Sequence, residues 1–243
     1  MLNKLLIALL LNSLAFFSLH AEEVLVLNTA FGPPLVNPDH QGALDVLYRT
    51  LGRHLGIDIQ IEIIPAERAL MNANVGIEDG DTCRIAGLGK LYPDLVQIPE
   101  EILHLQMSVF TKLPDLKFNG LDSLKPYHVG YLIGWKILES KVVGTKAVTR
   151  FATDKDLFRA LEEGLIDVAI YEKLQGDFLI RKGSGVRVLE PPLFKPVCYL
   201  YLNKKHSVLI PLISEELKKM KQDGSMRKIF YEALLPYLNG ESN

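Results

Sequence analysis

Cysteine is scarce in this chain: Cys83 and Cys198 are the only two in 243 residues. That excludes a disulfide-stapled scaffold, while leaving open either one bridge between them in an oxidising compartment or two free thiols. Charge of one sign is not in excess either. With 27 basic and 29 acidic side chains the formal net charge is −2, which excludes the basic footprint of a nucleic-acid binder. Beyond residue 21 there is no apolar run long enough to cross a bilayer; the longest candidate, 208–217, is interrupted by Pro211 and Glu215. Catalytic signatures are missing too. There is no His-Glu-x-x-His, no Gly-x-Ser-x-Gly, no phosphate loop and no dinucleotide fingerprint, and Gly183-Ser184-Gly185 reads as a turn. His40, His54, His104, His128 and His206 are far apart in sequence and show no metal spacing, so no metal and no cofactor are expected. Nucleophilic chemistry at Cys83 would need a histidine brought beside it by the fold.

What is present begins with an export signal. Lys4 precedes an apolar run from Leu5 to Leu19, too short to span a bilayer comfortably, and Ala21 suits the last position before cleavage. Glu22 and Glu23 follow at once. No cysteine stands at the cleavage site to take a lipid anchor, so residues 1–21 are expected to be a signal peptide and the mature chain a soluble periplasmic protein. Roughly 220 residues then remain, enough for one large domain or two compact lobes.

Short apolar runs alternate with amphipathic helical patterns along that remainder, the sign of an α/β protein. Strands are predicted over 24–28, 57–64, 81–86, 95–98, 103–111, 127–133, 146–151, 167–171, 186–189 and 197–202. Residues 29–41, holding Gly32, Pro33, Pro34 and Pro38, can only be a loop. Leu44, Leu47, Leu51 and Leu55 share one helical face that Gly56 ends. Further helices are predicted over 66–75, from Trp135, over 154–163, over 174–181, through Leu209, Leu212, Ile213, Leu217 and Met220, and over 226–235. Two proline-bearing connections, 113–126 and 190–196, suggest a chain that leaves one lobe and returns to it. Lobe one is thus expected at 22–112 and 196–243, and lobe two at 113–195.

The order of features resembles the periplasmic solute-binding proteins of the polar amino-acid type, extracellular solute-binding family 3. The resemblance covers nearly all of the chain after the signal, as a pattern and not a single diagnostic motif. It is carried by Asn28-Thr-Ala-Phe-Gly-Pro-Pro, by Gly42-Ala-Leu-Asp-Val-Leu, and by Val129-Gly-Tyr-Leu-Ile-Gly134. It continues in Glu163-Gly-Leu-Ile-Asp-Val-Ala-Ile-Tyr171-Glu172 and in the terminal segment 217–229. The resemblance implies a two-lobed, type II periplasmic-binding-protein-like α/β fold, lobe one discontinuous, with two hinge crossings. It implies a receptor that closes on a small polar solute, an amino acid or a related amine or organic acid, and presents it to an inner-membrane ABC permease. The alternatives are a sensory receptor for a membrane signalling protein, or a small dehydratase-type enzyme on the same scaffold. A monomer without enzymatic activity is the main expectation.

The same resemblance nominates ligand-binding residues. An amino-acid-like solute needs fixed donors for its carboxylate, a carboxylate for its ammonium and an aromatic wall. Arg84 stands for the carboxylate clamp, within Thr82-Cys83-Arg84-Ile85-Ala86 where the family has a hydroxyl-rich stretch; Lys90 is its reserve. Trp135 and Lys136 follow Gly134, where the family opens a helix of lobe two towards the ligand, normally with threonine. Glu172 aligns with the carboxylate that receives the amine, Phe31 with an aromatic that stacks on the ligand, and Asn28 with its polar neighbour. Glu67 and Arg68 open a helix whose N-terminus should face the cleft.

Overall fold

The computed structural model describes residues 24–238, so the expected signal peptide lies outside the described residues. Among the described residues ten strands form two separate five-stranded sheets. The first contains β1 (Val24–Thr29), β2 (Asp58–Ile63), β3 (Gly80–Ile85), β4 (Leu95–His104) and β10 (Val197–Asn203), in the order β2-β1-β3-β10-β4. The second contains β5 (Met107–Thr111), β6 (His128–Leu132), β7 (Ala147–Phe151), β8 (Val168–Glu172) and β9 (Arg187–Phe194), in the order β7-β6-β8-β5-β9. β1 lies parallel between β2 and β3, and β6 parallel between β7 and β8; β10 and β5 enter antiparallel. The result is the two-lobed α/β fold expected, with the first lobe completed by the returning strand.

Prolines delimit the strands less sharply than the sequence suggests. Pro99 lies inside β4, so that the break expected over 99–102 falls at 105–106 instead, and Pro191 and Pro192 lie inside β9, expected to end at residue 189. Both are edge strands, where a residue without an N–H removes no ladder hydrogen bond on its open side. The crossings move accordingly. The first falls between His104 and Met107, ahead of 113–126, because β5 is paired with β8 and β9 in the second sheet; residues 107–112 therefore belong with that sheet and not with lobe one. The return falls at 195–196, after β9.

Helix α1 (Ala43–Leu55) forms on the periodicity read above, with Leu44, Leu47, Tyr48 and Leu51 fully buried. Asp45 accepts hydrogen bonds from the N–H groups of Asn37 and Gly42 at 2.8 and 2.9 Å, which ties the preceding loop to the first turn. Gly56, at φ 69°, ends the helix in the left-handed conformation. α1 packs with α6 (Ile210–Gln222) and α7 (Ser225–Leu238) beside the first sheet, and α2 (Ala66–Val75) packs on β1, β3 and β10. β10 alternates accordingly: Cys198, Leu200 and Leu202 enter the main core, while Tyr199 and Tyr201 join Leu70, Ala73, Leu88 and Tyr92 in a smaller one. In the second lobe α4 (Asp154–Glu162) covers β6, β7 and β8, and α5 (Lys173–Leu179) covers β5, β8 and β9, with the short α3 (Lys136–Lys141) after β6. Thr153 caps α4 by accepting from the Asp156 N–H.

Candidate functional site

The carboxyl ends of β1, β3 and β6 meet where the lobes touch, the place at which open α/β sheets gather ligand-facing loops. After β1 comes Phe31; Arg84 is the last residue but one of β3; after β6 come Gly134, Trp135 and Lys136. These residues, with Leu70, Cys83, Leu88, Leu105, Met107 and Cys198, line a cleft that leaves about 40 Å³ of room. That holds a water molecule or two. The lobes are closed on each other.

Contacts across the cleft are few and specific. The Phe31 ring meets Trp135 edge-on at 6.1 Å, and Trp135 stacks on Tyr171 at 5.1 Å. The Lys136 ammonium of the second lobe donates to Glu67 Oε2 of the first at 2.6 Å and to its neighbour Glu139 at 3.0 Å, and lies 5.9 Å from the centre of the Tyr92 ring. Tyr92 completes the cluster by donating to Glu67 Oε1 at 2.9 Å. Gln175 Nε2 donates to the Gly32 carbonyl at 3.0 Å. Gly134, at φ 85°, brings its backbone so close to α2 that a Cβ there would lie 2.4 Å from the Glu67 nitrogen. Only glycine satisfies both the left-handed turn and that approach.

Arg84 is fixed by its own lobe. Its Nε donates to Asp81 Oδ2 at 2.7 Å and its Nη2 to the Ala66 carbonyl at 3.0 Å, which orients the guanidinium along the cleft wall. Burial pushes the Asp81 carboxyl upward, against the pull of Arg84. Glu67 behaves oppositely: partial burial alone would raise it, but the hydrogen bonds from Lys136 and Tyr92 hold it below its ordinary value. At Lys136 desolvation is outweighed by the bonds to Glu67, Glu139 and Tyr92, which keep its ammonium protonated above the usual lysine range.

Of the residues nominated from sequence, the structure brings Phe31, Arg84, Trp135, Lys136 and Glu67 together. It does not bring the others there. Asn28 is fully buried beneath the cleft, donating to the Ala69 carbonyl at 2.8 Å and to Glu78 at 3.0 Å, so that it fastens α2 to β1. Arg68 is exposed and lines a separate, open space between the lobes with Pro65, Met71, Ile133 and Ala152, and Lys90 is exposed beyond β3. Glu172 is buried but faces away: it caps α5 by accepting from the Gln175 N–H at 2.9 Å, behind the hinge with Leu35, Gln106 and Phe230. Burial raises its pKa, opposed by the N–H groups of Gln175, Leu174 and Gln106.

Gly134, Tyr92 and Gln175 complete the interlobe contact without having been nominated. A glycine at the junction of a strand and a helix was the one legible signal among them. Cys83 and Cys198 are free thiols, both buried in the cleft wall. Burial and then the Cys198 thiol push the Cys83 pKa up. Among the described residues no three His, Cys, Asp or Glu side chains gather closely enough to hold a metal ion, and no helix is long and apolar enough to cross a membrane.

The arrangement defines the class: two α/β lobes closing over a cleft at their facing strand ends is the periplasmic-binding-protein-like fold. Solved structures agree. An ancestral arginine-binding protein bound to glutamine superposes with a TM-score of 0.74 at 20% identity, covering 88% of this chain and 98% of its own. The amino-acid ABC transporter substrate-binding protein AbpA of Streptococcus pneumoniae, bound to L-arginine, gives 0.71 at 15% identity, over 87% and 93%. A histidine kinase sensor domain similar to periplasmic binding proteins gives 0.76 at 17% identity, over 88% and 96%. In sequence, an uncharacterised protein of Shewanella oneidensis is 26% identical over 198 residues, 78% of this chain and 75% of that one. No family model matches the chain.

Proposed function

We propose that the chain is an exported receptor that binds a small solute between its lobes and passes the closed form to a membrane partner. The observation that carries this reading is the interlobe cluster: Phe31, Arg84 and Glu67 from one lobe meet Trp135 and Lys136 from the other. Neither lobe holds a complete site, so a solute contacting both favours closure, and the free energy of closure depends on the solute. The fold neighbours that carry arginine or glutamine support a solute of amino-acid size or a related organic acid. The export signal read at residues 1–21 supports the periplasm as its place. A monomer that delivers its solute to an ABC permease is the main reading. Delivery to a sensory partner is the second, favoured by the likeness to a kinase sensor domain.

Binding is preferred to catalysis on chemical grounds. A nucleophilic cysteine needs a lowered pKa, whereas burial drives the Cys83 thiol the other way. The carboxylates near the cleft, Asp81, Glu67 and Glu139, already accept hydrogen bonds within the protein, which leaves none of them poised as a general base.

The test is a thermal-shift screen of the soluble chain against amino acids, polyamines and organic acids, followed by scattering with the best solute. A micromolar ligand at millimolar concentration adds about 4 kcal/mol of stability by mass action. A binder that leaves both stability and molecular dimensions unchanged contradicts the receptor reading.

A further inference from the structure

The charge pattern of the cleft narrows the solute, granted the receptor reading above. Among the described residues, Arg84 and Lys136 are the charged side chains that line it, and both are cations. The rest of the lining is largely apolar, from Phe31 and Leu70 to Met107 and Trp135. The nearby carboxylates face away or are occupied. Asp81 is bound by Arg84 and by the Cys83 N–H, and both oxygens of Glu67 are taken, one by Lys136 and one by Tyr92. Glu172, the acid expected to receive an ammonium, caps α5 outside the cleft. An ammonium closed into this space would lose its water and meet no free carboxylate, a heavy desolvation cost without recompense. A carboxylate meets a fixed guanidinium whose Nη1 has no partner among the described residues, beside the Lys136 ammonium. The Lys136 ammonium, held by Glu67 and Glu139 and facing the Tyr92 ring, sits where a ligand's own cation would have to sit.

We propose that the cleft selects small carboxylates with an apolar or aryl body and no ammonium, because Lys136 already fills the anionic seat that an amino acid's ammonium would need. Lys136 is then the specificity-determining residue, and the chain's own cation replaces a cation of the ligand. The solute class is that of arylalkanoates and branched alkanoates, not of amino acids, and the lobes must part beyond the closed arrangement to admit it.

Two ligand pairs that differ chiefly by the α-ammonium test this on the whole soluble chain: 3-phenylpropanoate against L-phenylalanine, and 4-methylpentanoate against L-leucine, each titrated calorimetrically. The expected result is tighter binding of at least one carboxylate than of its amino acid, by about tenfold or more. Lys136→Met should free Glu67 and Glu139 to receive an ammonium and so narrow or reverse that ratio. Lys136→Met keeps the length of the apolar stem and removes only the ammonium, so the variant is expected to fold, and its melting curve verifies this. Amino acids binding as well as or better than their carboxylate partners overturns the inference and leaves the receptor reading intact. An unchanged ratio in Lys136→Met overturns the role of Lys136. Silence from both pairs overturns the inference, and silence from the broad solute panel as well overturns the receptor reading with it.

Discussion

Arg84 and Asp81 show how far one residue's role depends on its neighbour. Asp81 is almost wholly buried, and Arg84 is the cation paired with it. Arg84→Ala is therefore expected to cost about 3–5 kcal/mol of folding stability through the uncompensated carboxylate, measured by urea denaturation. A loss below about 1 kcal/mol, the scale of an exposed pair, would show that Asp81 is protonated or hydrated and does not need the arginine. Glu172 carries the opposite expectation. As an N-cap, Glu172→Ala should cost about 0.5–2 kcal/mol of stability and leave solute affinity unchanged, because the side chain does not reach the cleft. A large loss of affinity with intact stability would return it to the site. Cys83 and Cys198 should be inert to a thiol reagent in the native protein and yield two thiols after unfolding, since both are buried and free. Recovery of no thiols from the unfolded chain would mean that the pair is a disulfide.

At the scale of the element, the turn between β6 and α3 decides whether the lobes can meet. Gly134→Ala adds a Cβ against the backbone of α2 and forces a left-handed alanine. Gly164, also left-handed at φ 74°, has nothing within 4 Å of a Cβ. Gly164→Ala should thus suffer only the backbone strain, about 1–2 kcal/mol, whereas Gly134→Ala should in addition hold the lobes apart. Scattering is expected to give a larger radius of gyration for Gly134→Ala alone, with no contraction on adding solute. Equal dimensions for the two variants would mean that the closed contact at Gly134 yields easily. The edge strands make a related point. Pro99 in β4 and Pro191 and Pro192 in β9 read as breaks in the sequence, but position in the sheet, and not the residue, determines whether a missing N–H matters.

For the whole molecule, the Lys136–Glu67 pair spans the lobes and makes closure sensitive to acid. Glu67 is held below its ordinary value of 4.5 by the hydrogen bonds that overcome its burial. Opening the cleft removes Lys136, so the open form binds a proton more readily than the closed one. The stabilisation of closure is then fully present above pH 4.5 and fades as pH falls through the lower value of the closed form. Both groups are partly exposed, so salt should weaken the effect. Scattering from pH 7 down to pH 3 is expected to show expansion before unfolding in the natural chain. Glu67→Gln should show no such acid step, and an identical profile in both would remove this pair from control of closure.

Most of the architecture was legible because it rests on local pattern. The leucine face of α1, the stop at Gly56, the alternation of strand and helix and the return crossing need only periodicity and turn chemistry, which neighbouring residues encode. The candidate cleft was legible in part: Phe31, Trp135 and Lys136 stand beside turns that a two-lobed fold brings together, and Arg84 lies near the end of a strand that does the same. Only tertiary structure decided the rest. Whether an acid serves a ligand, a helix cap or an arginine depends on which groups lie within hydrogen-bond reach of it. Glu172 and Asp81 find their partners three residues on, in Gln175 and Arg84, but it is burial under distant segments that makes those partners count, and the partner of Glu67, Lys136, comes from the other lobe. Sequence sets the side chains and their local geometry, while desolvation and charge pairing, which fix the chemistry of a cleft, arise only when distant segments exclude water together.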